Sequence, residues 1–333
     1  MSADKAKTFH VEPHEVQHTL VQNLRRWLPS ESWSQVRKLL QGRQISVNGN
    51  LCLDEGRRLK PGDVVKVLAA AQTAPPREDD VRVRFIDSEI VIIEKPAGVT
   101  TMRHAEERSW PARRKQLQPT LDELLIRVVE RQTGHRRKSK GKPHKPPRIR
   151  AVHRLDRETS GLMVFARTPV AEQKLIKQFS KHTIHRAYIA IVHGSVDAQT
   201  IESTLVRDRG DGRRGSSTAE TPDDGQRAVT HVRPIEVLNG YTIVECRLET
   251  GRTHQIRIHL SEQGHMVCGE RMYNKPLGGR VIVDESGAPR VALHAAELGF
   301  VHPTTGEDLM FKSPLPPDLQ QLVKRLRQRR PES

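Results

Sequence analysis

Residues 134–150 read GHRRKSKGKPHKPPRIR, with eight Lys or Arg, no acid and no aliphatic side chain before Ile149. Such a stretch cannot bury a core, so any fold this chain adopts must carry it as a basic surface loop. Two more breaks divide the remainder. AAAQTAPPRED at 69–79 is small, Pro-bearing and polar, a linker by composition. RDRGDGRRGSSTAETPDDGQR at 207–227 is rich in turn formers. These breaks predict a module at 1–70, a linker at 71–80, a large domain at 81–322 that contains the insert 134–150, and a basic tail at 323–333.

The first module opens with two helical patterns. Leu20, Leu24, Trp27 and Leu28 recur on one helix face until Pro29 ends the run. In SESWSQVRKLLQG, Ser30 or Ser32 can cap, Trp33, Val36 and Leu40 share a face, and Gly42 suits the stop. Alternation around Asn48-Gly49 then signals a hairpin, and LKPGDVVKVL adds a turn and a Val-rich strand. Arg37, Lys38 and Arg43 crowd the second helix and the turn after it. This order, with VNG and GD landmarks, resembles the S-four type of RNA-binding module over residues 16–70, although the Arg-Leu-Asp that usually begins its first helix is missing. The resemblance implies RNA binding by Arg37, Lys38 and Arg43. The competing reading is a merely solvated helix face.

Strand-like runs follow: VRVRFIDSEIVIIEK, GLMVFAR, AYIAIVHG, YTIVECRLET and RVALHAAELGFVHP. Helical runs are TLDELLIRVVERQ, AEQKLIKQFSK and HQIRIHLSEQG, the last beginning after Thr253 as a cap and stopping at Gly264. Strands and helices intermixed in this way predict an α+β domain on a mixed, mostly antiparallel sheet.

Charge narrows the partners. Lys and Arg number 56 against 40 Asp and Glu, a formal charge of +16, which favours a polyphosphate backbone over an anionic membrane. No run approaches the roughly 18 apolar residues of a membrane span, and MSADKAKTFH lacks a signal-peptide core. The expected compartment is the cytoplasm and the expected partner RNA, with no membrane and no DNA. Cys52, Cys246 and Cys268 are far apart, odd in number and without a CxxC pair, so neither a disulfide framework nor a thiolate metal site is expected. Walker and dinucleotide fingerprints are absent. The expectation is chemistry without metal or cofactor, in a monomer.

Four segments carry the chemistry: EKPAGV at 94–99, HRLDRETSGL at 153–162, HRAYIAIVHG at 185–194 and TGRTHQIRIHL at 250–260. With LHAAELGFVHPTTGE at 293–307 they resemble the pseudouridine synthases of the RluA family over nearly all of residues 80–320. The S-four-type module in front matches the longer, ribosomal-RNA-modifying members. The resemblance implies an isomerisation in which uridine's N-glycosidic bond breaks, the base rotates and carbon 5 is rejoined to the ribose, with no metal or cofactor.

By the same resemblance Asp156 is the catalytic residue, acting either on the ribose carbon or on a ribose proton. Both roles use the ionised carboxylate, which Arg154, Arg157 or Arg257 nearby would favour. Arg154 is implied to fill the gap left by the flipped nucleotide, since extrusion costs a few kcal/mol. A phosphate clamp is the alternative. Tyr188 is implied to stack on the target base, against the alternative of a core tyrosine. Arg257 is implied to pair with Asp156, and a helix over 254–263 would put it in the first turn, reaching inward. Arg252 and His254 bind phosphate or brace their loop. Lys95 and Pro96 belong to a structural motif, and Leu162 packs beneath the active loop.

Three features depart from the family pattern: Arg186 stands where Lys is usual, GERMYN replaces Gly-Asp-x-x-Tyr-Gly with Glu270 and Asn274, and the basic insert precedes HRLD. Transfer RNA is the alternative substrate to large-subunit ribosomal RNA. A non-catalytic RNA-binding or ribosome-assembly factor is the alternative function, which the joint presence of Asp156, Tyr188 and Arg257 argues against.

Overall fold

A computed structural model describes residues 7–48, 50–68, 71, 76–103, 105–134, 146–209, 213–217, 225–276 and 279–329. Gly49 of the hairpin signal, most of the basic insert, part of the linker and part of the 207–227 loop therefore lie outside the described residues. The chain divides into two compact units, Met1–Pro75 with Arg103–Pro119, and Pro76–Met102 with Thr120–Ser333.

In the first unit, strand β1 (Lys7–His10), helices α1 (Leu20–Trp27) and α2 (Trp33–Gln41), and strands β2 (Ile45–Val47), β3 (Asn50–Leu51) and β4 (Val64–Val67) come in that order, and α3 (Ala112–Leu117) lies in its second segment. The sheet order is β1-β4-β2-β3. Ser32 caps α2 reciprocally: its Oγ accepts from Gln35 N at 3.2 Å while Gln35 Oε1 accepts from Ser32 N at 2.6 Å. Leu20, Leu24, Val36 and Leu40 are fully buried together. Trp33 does not join them. It is 45% exposed at the first position of α2, one turn short of the core that Val36 reaches. Asn48, at a φ of 52°, donates to Asp63 Oδ1 at 2.8 Å and accepts from Val64 N at 2.8 Å, which ties the two turn landmarks together.

The second unit is built on eleven strands among the described residues. They are β5 (Arg82–Ile86), β6 (Ile90–Lys95), β7 (Arg150–Ala151), β8 (Ser160–Ala166), β9 (His185–His193), β10 (Gln199–Val206), β11 (Gly215–Ser216), β12 (Gln226–Leu238), β13 (Tyr241–Leu248), β14 (Leu293–Val301) and β15 (Asp308–Lys312). The order is β11-β10-β12-β13-β9-β14-β8-β6-β5, with β15 on β14 and β7 on β8. Only β14 and β8 pair in parallel, so the sheet is mixed and mostly antiparallel. Helices α4 (Leu121–Gln132), α5 (Pro169–Ser180), α6 (Gln255–Glu262) and α7 (Pro317–Gln328) complete it.

Every residue of β8 is buried, because alternate side chains enter different clusters. Met163 and Phe165 join the α4 and α7 side, whereas Leu162 and Val164 pack with Leu175 of α5. At the parallel junction Gly161 sits opposite Ala295 at a φ of +121°, and a Cβ there would fall onto the Ala295 carbonyl. Residues 323–328, expected in a basic tail, continue α7. Val323 and Leu326 are buried beside Leu319 and Leu322, a face that outweighs the Arg and Lys between them.

Two buried imidazoles, His259 and His294, and the half-buried His153 contribute to the acid response of this unit. Burial pulls His153 down to about 3 and His259 and His294 down to about 4. His153 Nε2 accepts from Val164 N at 3.1 Å, as a neutral ring can. The unfolded chain binds protons near pH 6.5 where the folded one does not, so stability falls as pH drops through that range. Chemical denaturation at pH 7 and pH 5 is expected to show a loss of roughly 1–2 kcal/mol per such histidine. An unchanged midpoint would contradict this account, and His259→Gln is expected to reduce the pH dependence.

Candidate active site

A loop, 152–159, carries Asp156 into a cleft of about 510 Å³. Buried polar groups hold that loop from below. Lys95, 1% exposed at the end of β6, donates from Nζ to the carbonyls of Pro96, Arg157 and Thr159 at 3.0, 3.1 and 2.8 Å. Three carbonyls match the three hydrogens of an ammonium. Burial lowers the Lys95 pKa to about 7, with Glu158 and Asp156 opposing it. Thr101 Oγ1 donates to Leu155 O at 3.0 Å and accepts from Leu155 N at 3.3 Å. Arg290 Nη1 donates to Glu158 O at 3.1 Å. These bonds satisfy the loop's carbonyls from inside.

The opposite wall is the start of α6. Its N-cap is His254, in the left-handed region at a φ of 61° with no side-chain cap, rather than Thr253. Gln255 replaces the cap by anchoring the turn: its Oε1 accepts from Thr250 Oγ1 and Arg252 N, and its Nε2 donates to Val229 O and Thr230 Oγ1. One turn later His259 bonds Thr230 and Ser203. This i, i+4 polar pair docks α6 on β12 and β10 and turns Arg257 inward, where it is 7% exposed.

Arg257 sits between two carboxylates. Nη1 lies 3.4 Å from Asp156 Oδ2, while Nε and Nη2 grip Glu270 at 2.6 and 2.8 Å. Burial works to raise the Glu270 pKa, but the Arg257 fork and the backbone N–H groups of Met272 and Tyr273 outweigh it and hold the group below its ordinary value. Burial likewise opposes the Arg257 charge, and Glu270 and Asp156 raise its pKa in spite of that. The Arg257 guanidinium also lies 5.3 Å from the Tyr273 ring centroid. His254 Nε2 is 3.7 Å from Asp156 Oδ1, and its Nδ1 is 2.7 Å from the Tyr273 hydroxyl. Burial lowers the His254 pKa despite Asp156.

Of the sequence-predicted residues, Asp156, Tyr188, Arg257, Arg154, Arg252 and His254 all line this cleft. Among the described residues Arg154 is exposed without an acid partner, and Arg157 turns to the Gly98 carbonyl at 3.2 Å. Of the three arginines expected to favour the Asp156 charge, Arg257 makes the ion pair, as the resemblance implied. Tyr188 is 8% exposed, and burial pushes its phenol up. Arg252 donates from Nε to Arg227 O at 3.1 Å. In the first unit Arg37 pairs with Glu55 at 3.1 Å, Lys38 is exposed, and Arg43 is half-buried at a φ of 60°.

Glu270, Tyr273, Gln255 and Thr101 escaped sequence reasoning as site residues. The Glu270 substitution was visible, but its partner was not. Among the described residues one group brings metal-capable atoms within 4.8 Å of one another, His193, Cys268 and Asp284. There Asp284 accepts from Gly269 N, Ser286 N and Ser286 Oγ and contacts His193, while burial pushes the Cys268 thiol up to about 12. These bonds fix the turn that leads into Glu270.

A carboxylate and a paired arginine at the floor of a cationic cleft, on a mixed sheet, define a family that the comparisons identify. Residues 89–262 match the family model for RNA pseudouridylate synthase, and residues 20–65 match the S4 domain. The chain is 34% identical over 304 residues to the uncharacterized RNA pseudouridine synthase YlyB of Bacillus subtilis, covering 89% of this chain and 90% of that one. It is 34% identical over 280 residues to ribosomal large subunit pseudouridine synthase D of Xanthomonas campestris, covering 81% and 77%. The solved structure of human RNA pseudouridylate synthase domain containing 4 superposes with a TM-score of 0.56 at 22% identity, covering 75% of this chain and 95% of that one, and shows the fold. The chain belongs to the RNA pseudouridylate synthase family, with an S4 domain before its synthase region. No helix among the described residues is long and apolar enough to cross a membrane.

Proposed function

We propose that this chain isomerises specific uridines to pseudouridine in large-subunit ribosomal RNA, acting as a monomer in the cytoplasm, with Asp156 as the catalytic residue. The observation that carries the assignment of Asp156 is its pairing with Arg257, whose charge is itself fixed by Glu270. Asp156 acts on the ribose of the extruded nucleotide. Its carboxylate either bonds to the anomeric carbon as the base leaves with the bonding electron pair, or accepts a ribose proton. The base then rotates. In the first course carbon 5 displaces the carboxylate from the anomeric carbon, and in the second Asp156 returns its proton to the ribose as carbon 5 bonds to the anomeric carbon. In both, carbon 5 loses its proton to solvent and N1 takes one up, so the product is an isomer of the substrate. Arg257 stabilises the carboxylate whenever it is returned as an anion.

Tyr188 provides the stacking face for the base. Arg154, exposed and without an acid partner among the described residues, supplies the guanidinium that replaces the extruded base in the stack. Arg252 and His254 bind the strand beside it. Arg37, Lys38 and Arg43 are the RNA contacts of the S4 domain. Support for ribosomal RNA comes from the +16 charge and from relatives named ribosomal large subunit pseudouridine synthase D.

The test is a map of pseudouridines at single-nucleotide resolution in ribosomal and transfer RNA from a strain deleted for this gene. Loss of particular large-subunit sites, restored by the wild-type gene, is the expected result. A change confined to transfer RNA would reassign the substrate.

A further inference from the structure

We propose that Arg186 is a built phosphate-binding residue of the cleft, gripping a backbone phosphodiester of the substrate strand beside the target nucleotide. The proposal deepens the reading of the cleft as the RNA site and rests on it.

Arg186 and Tyr188 are two residues apart on β9, so they share a sheet face, and both line the cleft. Three features hold the Arg186 guanidinium in place. It lies 5.7 Å from the Phe179 ring centroid, and Phe179 stacks on the neutral His153 at 4.6 Å. Nη2 donates to the carbonyl of Glu249 at 3.2 Å. Gly251 leaves the space that Nη1 needs, since a Cβ there would stand 2.6 Å from it.

What Arg186 lacks is a counter-charge. Among the described residues it pairs with no carboxylate, unlike Arg150 with Glu172 or Arg227 with Glu202. Its Nε is buried without any hydrogen-bond partner. A guanidinium that donates to one neutral carbonyl and meets no carboxylate keeps its charge for a ligand. Among the described residues Asp156 is the one carboxylate lining the cleft, against Arg154, Arg186, Arg252 and Arg257. The anion such a cleft receives with an RNA strand is a phosphodiester, and its geometry suits the planar guanidinium fork. A neutral uracil carbonyl would not require the charge.

Binding of the full chain to an unmodified transcript of large-subunit ribosomal RNA tests this, measured across a salt series in an Asp156→Asn background that holds the substrate unreacted. Arg186→Gln is expected to weaken binding about tenfold. It should also make the slope of log affinity against log salt shallower by about 0.7–0.9, one phosphate contact. Arg186→Lys should keep the slope and recover part of the affinity. Gly251→Ala, which displaces the guanidinium, should weaken binding in the parent but add nothing to Arg186→Gln. Thermal melts within a few degrees of the parent establish that each variant folds.

A Gln variant with the parental slope would overturn the proposal. So would Lys and Gln variants equally defective in slope and affinity, since that marks packing on Phe179. Product assays on the active chain separate the two readings. Normal pseudouridine formation with an unchanged slope removes Arg186 alone. A lost slope in a protein that makes no product from any RNA leaves the phosphate contact standing and removes the proposed chemistry.

Discussion

Asp156→Asn is expected to reduce pseudouridine formation to below about a thousandth of wild type while leaving a folded protein that still binds RNA. Asn fills the same volume, and its Oδ1 can keep the contact to Arg257 Nη1, now 3.4 Å from Asp156 Oδ2. The loop does not depend on the carboxylate, because Lys95, Thr101 and Arg290 hold its carbonyls. What disappears is the carboxylate's capacity to bond to the ribose carbon or to take its proton. Affinity comes mainly from phosphate contacts, so binding should hold or tighten slightly as a negative charge is removed. If Asp156 served only as a salt-bridge partner, the substitution would cost stability alone and catalysis would stay normal. Product formation at saturating enzyme, measured beside a thermal melt, separates the two outcomes. Substantial turnover by the Asn variant would remove Asp156 as the catalytic residue.

Arg257→Lys should be nearly as damaging and for a different reason. Arg257 serves Glu270 with Nε and Nη2 and Asp156 with Nη1, three directions fixed by one plane. A lysine ammonium is a point charge and cannot span both carboxylates in that geometry. Glu270, whose side chain is fully buried, would keep only part of its compensation, and the expected stability loss is about 3 kcal/mol. Activity should fall about 100-fold or more, since Asp156 loses the cation that stabilises it. Glu270→Gln probes the same network from the far side. It removes the charge that fixes Arg257 but keeps a group able to accept from it, so activity should fall while the melting temperature changes less than in Arg257→Lys. A Glu270→Gln enzyme with full activity and an unaltered pH–rate profile would show that Glu270 only packs.

The local signals in this chain were strong wherever structure depends on neighbours within a few residues. The α2 capping box of Ser32 and Gln35, the inward turn of Arg257 on α6 and the fully buried run of β8 follow from spacing in the chain. The motifs that resemble the RluA family were equally legible, and they named the residues that line the cleft. Strands β10 and β12 escaped notice. The latter mixes Thr230, His231 and Arg233 with apolar residues and contains Pro234, beside which the register shifts. Pro and polar residues in a strand lower its local signal, and only its pairing with β13 and β10 supplies the missing stability. Helix α7 was hidden by its Arg and Lys residues, although Leu319, Leu322, Val323 and Leu326 keep a helical spacing.

What the tertiary structure alone decided is how the charges around Asp156 are shared. Asp156 and Arg257 are 101 residues apart, and Arg154 and Arg157, its chain neighbours, leave it to Arg257. Glu270 looked like a departure from a motif until the turn after Cys268 set it against the same guanidinium. Side-chain periodicity is a short-range property of the backbone and can be read along the chain. Pairings between distant charges depend on sheet register and on where loops are pinned, and those are fixed only when the whole sheet is assembled.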